Sequence, residues 1–417
     1  MNLSEHRQYS PFPPEGEAQL SDDVLVAVGQ MISQERARGD SPSLIDQDLL
    51  DRAHSVLEDG ARLPSAFCAY ARPRQRSHQT LLAITNAGPC HLTLTSREQS
   101  LLEGVLVHVE HIDRSDASHP TAVEPYRVPE PVLAAKVRLH IGDAAPCSVY
   151  VGAPTFVNGF EDGFLKAINT IAAACTAFFL LGYSECKVSC VGLRASEAVR
   201  VMKSLAKLTL RVRQSQVLSA AFNLNTPLVD DLRQGPMIEF TAAADIAKYS
   251  IELVKQGGFD KVTWDSAGKA VPSCCVFELL SHRALVQLTH KAHSCGLETY
   301  VSGGVSVQNV QLGVYAGVGG IGIGTSLHSV DEQGRVGDLI RNRVSAVIGR
   351  RNQAEASTLG LAAQLLAKAD WDYASAIETT LTRHRDQLVE FLSEQDGAAA
   401  AHIVTTILNN TRGKNGV

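Results

Sequence analysis

Short β-like runs alternate with helical ones from His91 to Gly324, and a chain written that way has few folds open to it. Strand, crossover helix and next strand, repeated, build a parallel sheet with helices packed over it. The runs that read as strands are His91 to Thr95, Val105 to Ile112, Cys147 to Gly152, Cys186 to Val191, Val217 to Asn223, Lys261 to Asp265, Glu298 to Ser302 and Gly320 to Gly324. Eight is the number that closes such a sheet, so the predicted fold is an α/β (β/α)8 TIM barrel. Helical runs are expected between the strands at Ser96 to Leu102, Gly163 to Gly182, Ser196 to Arg211, Ala242 to Gln256, Ser281 to Cys295 and Val307 to Ala316.

The predicted barrel occupies residues 88–350, with Val336 to Gly349 as its last helix. Residues 1–87 form an N-terminal arm or extension whose first stretch is polar and rich in proline (Pro11, Pro13, Pro14). Leu81 to Thr85 within it is strand-like. Residues 351–417 form a helical C-terminal extension, read as helices at Ala354 to Ala369, Asp370 to Leu392 and Ala398 to Leu408. A tail of this kind is expected to pack on the barrel or on a neighbouring subunit, and a homo-oligomer is the expected assembly.

The net charge of -6 over 417 residues gives no electrostatic reason to expect nucleic acid, so a small molecule is the expected partner. The nine cysteines include no Cys-x-x-Cys pair, which fits reduced thiols of a cytoplasmic protein better than a disulfide framework or a zinc site. The polar N-terminus lacks the apolar core of a signal peptide. Ile168 to Leu181 is the most lipid-like run, yet it falls short of the roughly 20 residues that span a bilayer. No membrane, metal or cofactor is expected.

Chemistry concentrates at the strand ends, where barrels keep their active sites. Val262-Thr263-Trp264 ends in Asp265, and Lys269 follows four residues later. An amine beside a carboxylate, partly desolvated, can lose its proton near neutral pH and attack a carbonyl. A solvated loop lysine is the plainer alternative. The seventh and eighth strand ends carry Ser302-Gly303-Gly304 and Gly319 to Ser326. Glycines there let backbone N-H groups approach an anion, so Ser302, Gly303, Gly304, Gly324 and Thr325 are candidate phosphate contacts, with ordinary turn glycines as the alternative. Asn223, at the fifth strand end, is placed to donate to a substrate oxygen or to shape a turn.

Taken together, these pieces resemble the (5-formylfuran-3-yl)methyl phosphate synthases, barrel enzymes that make the furan precursor of methanofuran. The resemblance covers about residues 90–348. It is carried by Gly257-Gly258-Phe259-Asp260-Lys261-Val262-Thr263-Trp264-Asp265-Ser266-Ala267-Gly268-Lys269, by Ala292 to Leu297, by Ser302-Gly303, and by Gly322 to Leu327 with Gly334-Arg335-Val336-Gly337. Lys187-Val188 ahead of Gly192-Leu193 is similar to the family's Lys-Val-Gly-Leu strand, with Ser189, Cys190 and Val191 inserted. What the resemblance implies is lysine-based joining of two triose phosphates. Lys269 would form an imine or move protons, Asp265 would orient it and shuttle a proton, and Lys187 would tune its basicity or hold a phosphate.

Two departures bear on that implication. Where the family has Asp-Val-Lys-Asn-Pro after the second strand, this chain has Val109-Glu110-His111-Ile112-Asp113-Arg114, without a lysine. Ile323 replaces the arginine that precedes the last strand's glycine. His111 and Arg114 are accordingly expected to face substrate. His108, Glu110, His111 and Asp113 do not make a metal site, because alternate positions point to opposite faces and leave two ligands on each. Other readings of the same chain are a flavin mononucleotide-dependent barrel oxidoreductase, whose phosphate the glycine clusters would hold, and a catalytically inactive scaffold subunit. Cys274-Cys275 is a weaker nucleophile candidate, and His282, His290 and His293 read as structural residues of one helix.

Overall fold

Eight strands of the computed structural model pair side by side, all in parallel, into a closed ring. The structure describes residues 80–84, 105–107, 128–129 and 131–141, and then 147–412 except 157, 214, 234, 267–273, 331–335 and 379–380. In chain order the ring strands are β1 (Thr80–Ile84), β2 (Val105–Val107), β3 (Cys147–Tyr150), β4 (Glu185–Ser189), β5 (Val217–Asn223), β6 (Lys261–Asp265), β7 (Glu298–Val301) and β8 (Gly320–Ile323). Each pairs with its neighbours in that order, and β1 closes on β8 through Thr80↔Ile321 and Leu82↔Ile323.

Successive side chains of a strand point to opposite faces. Cys186, Val188, Leu218, Phe222, Val262, Trp264, Ile321 and Ile323 form one core with Ile168, Phe178, Met202, Val254 and Leu285 of the surrounding helices. These helices are α1 (Pro131–Ile141), α2 (Phe160–Leu180), α3 (Ala195–Leu208), α4 (Ala243–Gly257), the short α5 (Val276–Leu279), α6 (His282–Ser294), α7 (Val310–Tyr315) and α8 (Arg341–Glu355). Trp264 is fully buried and donates its indole N-H to Ser250 Oγ of α4 at 3.0 Å, which fixes the outward face of β6. The alternate residue, Asp265, must then face inward. α2 is long and apolar enough to cross a membrane, but Phe164, Ile168, Ile171, Cys175 and Phe178 are buried in the barrel core, as in a core helix. The seven described cysteines are free thiols.

Several expectations need correction. The first barrel strand is Thr80–Ile84, so the barrel begins before residue 88, while His91 to Thr95 lies outside the described residues. A strand paired on both edges in a parallel sheet commonly reads as an unbroken apolar run, and Leu81-Leu82-Ala83-Ile84 is such a run in the sequence. Val336–Leu339 is a strand paired antiparallel with His328–Val330 rather than the start of the last barrel helix, and α8 runs across the expected boundary at residue 350. A second ribbon, Leu228–Asp230 with Ile238–Phe240, was not anticipated.

The C-terminal extension consists of α9 (Thr358–Ala374), α10 (Arg385–Glu394) and α11 (Gly397–Arg412). The break expected before Asp370 is absent, because Asp370 is fully buried within α9 and held from two sides. His290 of α6 meets it at 2.8 Å and Arg385 of α10 at 2.9 Å. Trp371 stacks on His293 with ring centroids 6.4 Å apart, and His282 Nε2 lies 2.8 Å from the carbonyl of Leu392. The three histidines of α6 thus have the structural role expected of them, clasping the tail to the barrel.

His282 donates from Nε2 to that carbonyl, and its buried Nδ1 has no hydrogen-bond partner among the described residues. Burial pushes its pKa below the ordinary histidine value, against the smaller opposing effect of the Leu392 carbonyl. The folded protein therefore resists a proton that the unfolded chain accepts at about pH 6.5. Stability is expected to be full above that pH and to decline as pH falls through it toward the lower folded value. Urea midpoints at pH 7.5 and 5.5 check this. The decline should be smaller in His282→Gln, and an equal decline in that variant would remove His282 as its source.

Candidate active site

Inward-facing side chains of β4 and β6, with the residue that follows β7, meet at the C-terminal end of the barrel. Lys187 Nζ donates to Asp265 Oδ2 at 2.9 Å and lies 3.4 Å from Ser302 Oγ. Lys187 belongs to β4, Asp265 ends β6, and Ser302 follows β7, so the contacts cross the lumen rather than run along one strand. The lysine side chain is only 3% exposed, whereas the aspartate is 24% exposed and opens toward the barrel mouth. The rings of Tyr150 and Tyr300 lie 5.4 and 5.5 Å from the ammonium.

Burial alone would push the Asp265 carboxyl up. The Lys187 ammonium, with hydrogen bonds from Ser302, Lys187 and the Ser266 N-H, outweighs it and holds the carboxyl below its ordinary value. At neutral pH Asp265 is a carboxylate, suited to accept a proton or to fix a cation.

Beside this pair the chain makes a tight turn at Gly303 and Gly304, with φ of 95° and 62°. A Cβ on Gly303 would stand 2.0 Å from Ser266 Oγ, so no other residue fits there without displacing the loop after β6. Ser266 Oγ in turn donates to the Cys274 carbonyl, which joins the two ends of segment 267–273. The N-H of Val276 donates to Gly303 O at 3.0 Å, and Asn309 Nδ2 lies 3.1 Å from Cys275 Sγ. Gly324 leads into a single 3-10 turn, Thr325–Leu327, and Ser326 Oγ ties that turn to the Val305 carbonyl at 2.7 Å. The two glycine segments foreseen as a phosphate cradle are therefore neighbours. Asn223 is nearly buried and pairs in register with Asp265, beside a small recess lined by Cys190, Gly192, Phe222 and Pro227. Lys269, His111 and Arg114 lie outside the described residues.

No family model matches the sequence, and no curated protein is significantly similar to it. Solved structures that align with it include 3-hexulose-6-phosphate synthase from Salmonella typhimurium, 9% identical over 66% of this chain and 99% of that one, with a TM-score of 0.40. N-(5'-phosphoribosyl)anthranilate isomerase from Pyrococcus furiosus is 14% identical over 66% and 99%, with a TM-score of 0.34. 3-keto-L-gulonate-6-phosphate decarboxylase from Vibrio cholerae is 12% identical over 66% and 97%, with a TM-score of 0.37. These are distant likenesses to TIM-barrel enzymes that act on phosphorylated sugars or sugar-like compounds, and they assign neither substrate nor reaction to this chain.

Sequence reasoning missed what lies beneath Lys187. Lys261 Nζ is 2.7 Å from Glu185 Oε2 and 3.7 Å from Glu298 Oε2, and its ammonium lies 5.4 Å from the Tyr300 ring. All three charged residues are buried. The signal was present in the strands themselves: Glu185-Cys186-Lys187, Lys261-Val262-Thr263 and Glu298-Thr299-Tyr300 each set polar residues two apart, the period of one strand face. A barrel lumen is more often filled by branched aliphatic residues.

Proposed function

We propose that the chain is a lyase or synthase that condenses small phosphorylated aldehydes or ketones, triose phosphates such as glyceraldehyde 3-phosphate, through lysine-based carbonyl chemistry, with loss of one phosphate and water to give a furan aldehyde phosphate. The observation that carries this reading is the Lys187 to Asp265 contact at the C-terminal end of the barrel, Asp265 ending the strand that Lys269 follows four residues later in the sequence. The Lys269 amine attacks the aldehyde carbon, the carbinolamine loses water, and the resulting iminium acidifies the neighbouring C-H bond. Asp265, already ionised, accepts that proton and leaves an enamine able to attack a second carbonyl. Lys187 supplies fixed positive charge beside Asp265, and the turns at Gly303, Gly304, Gly324 and Thr325 are assigned to the phosphate. The contacts of Lys187 with Asp265 and Ser302 support the reading, and the sequence resemblance supplies its substrate class.

Borohydride reduction in the presence of glyceraldehyde 3-phosphate or dihydroxyacetone phosphate, followed by peptide mass analysis, tests it. A reduced adduct is expected on the peptide that contains Lys269. An adduct on the Lys187 peptide instead would transfer the imine to that residue. The absence of any adduct, together with no consumption of either triose phosphate, would exclude the reading.

A further inference from the structure

The lumen floor holds charge that the chemistry above does not consume, and Tyr300 stands between the two sets. Its ring centroid is 5.5 Å from Lys187 Nζ and 5.4 Å from Lys261 Nζ, and the residue is 1% exposed. With Tyr150 it forms an aromatic pair apart from the main hydrophobic core. On β8 the chain makes room for it: a Cβ added at Gly322 would lie 2.0 Å from the Tyr300 hydroxyl oxygen and 2.7 Å from Cζ. The Lys261 end is anchored by Glu185 and Glu298, on strands β4 and β7 to either side.

We infer that Tyr300, seated over Gly322 and steadied by Lys261, is a positioning residue that holds the Lys187 ammonium against Asp265. This assignment rests on the reading that Lys187 belongs to the working site. An ammonium has three donors, and those of Lys187 have one short contact to Asp265 and one long contact to Ser302. Among the described residues the faces of Tyr150 and Tyr300 also lie against it, and they attract a buried cation through the ring quadrupole and keep water from it. Without the Tyr300 ring, the lysine would have a space to swing into and water would reach it. The hydroxyl is dispensable for this role and the ring is not.

The test needs no substrate. In protein labelled with nitrogen-15 lysine, the rate at which the Lys187 Nζ protons exchange with water is read by NMR, the signal being assigned by its loss in Lys187→Met. Tyr300→Phe is expected to keep the wild-type rate, while Tyr300→Leu and Gly322→Ala raise it about tenfold, the scale of one desolvated cation-π contact. Lys261→Met is expected to raise it too, through a loosened ring. Thermal unfolding of each variant separates local loosening from loss of fold. An unchanged rate in folded Tyr300→Leu or Gly322→Ala overturns the assignment. An acceleration in Tyr300→Phe overturns it equally, because the hydroxyl would then be responsible, and this variant decides the matter if the others fail to fold. A failure of the triose phosphate reading leaves these rates untouched, so the two outcomes are distinguishable.

Discussion

Lys269→Ala is expected to abolish turnover of the phosphorylated aldehyde while leaving thermal unfolding unchanged. Lys269 follows in sequence a barrel strand that ends in Asp265, and an imine cannot form without a primary amine. Lys269→Arg should be as inactive as the alanine variant, because a guanidinium stays charged and does not attack a carbonyl. Phosphate release and consumption of glyceraldehyde 3-phosphate measure the effect directly. Near wild-type rates in Lys269→Ala would take that residue out of the mechanism and leave Lys187 as the candidate amine.

Asp265→Asn is expected to act on rate and stability together, which makes it unlike the change at Lys269. Its partner, Lys187, is almost wholly buried, so removing the carboxylate leaves an uncompensated cation in the lumen. Breaking a buried pair from one side costs about 3 to 5 kcal/mol, here at the lower end because the aspartate reaches solvent. Urea unfolding should show a lower midpoint. The double variant Lys187→Met with Asp265→Leu should recover most of the loss, since a buried pair replaced as a whole by apolar groups is often close to neutral. Turnover in Asp265→Asn should fall by a factor of about 100 or more, the usual effect of losing a positioned acid or base. A single variant with unchanged stability would mean that Lys187 has another anion to turn to.

Seven of the eight ring strands were legible because parallel barrel strands announce themselves as short apolar runs between helical patterns. Val217–Asn223 and Lys261–Asp265 were read with their observed bounds. Thr80–Ile84 was noticed as strand-like but assigned to the arm, since nothing local in the sequence says that it pairs with Ile321 and Ile323 at the far end of the chain. Val336–Leu339 was lost for a related reason: Val-Gly-Asp-Leu fits a helix entry as well as a ribbon, and only its partner at His328–Val330 decides. At the candidate site, Asp265 and the glycine turns stood out because strand ends are informative. The Lys187 to Asp265 to Ser302 contact did not follow from spacing, since it joins three strands across the lumen. The fit of Tyr300 over Gly322 escaped notice because Tyr300 looks ordinary alone and Gly322 was read only as part of the last strand's glycine cluster, while their meaning lies in one filling the space the other leaves.

The ring and its clasp also dictate an order of events during synthesis. β1 leaves the ribosome first among the strands yet must wait for β8, which closes the sheet beside it. The helices that cover α6 come later still, so a nascent chain halted near residue 350 would present His282, His290 and His293 without Leu392, Asp370 and Trp371 to meet them. Partly assembled chains with bare sheet edges and uncovered apolar flanks are prone to stick to one another. Production of this protein is thus expected to depend on the completeness of its last segment, and a shortened barrel ending at α8 is a poor starting point for any redesign.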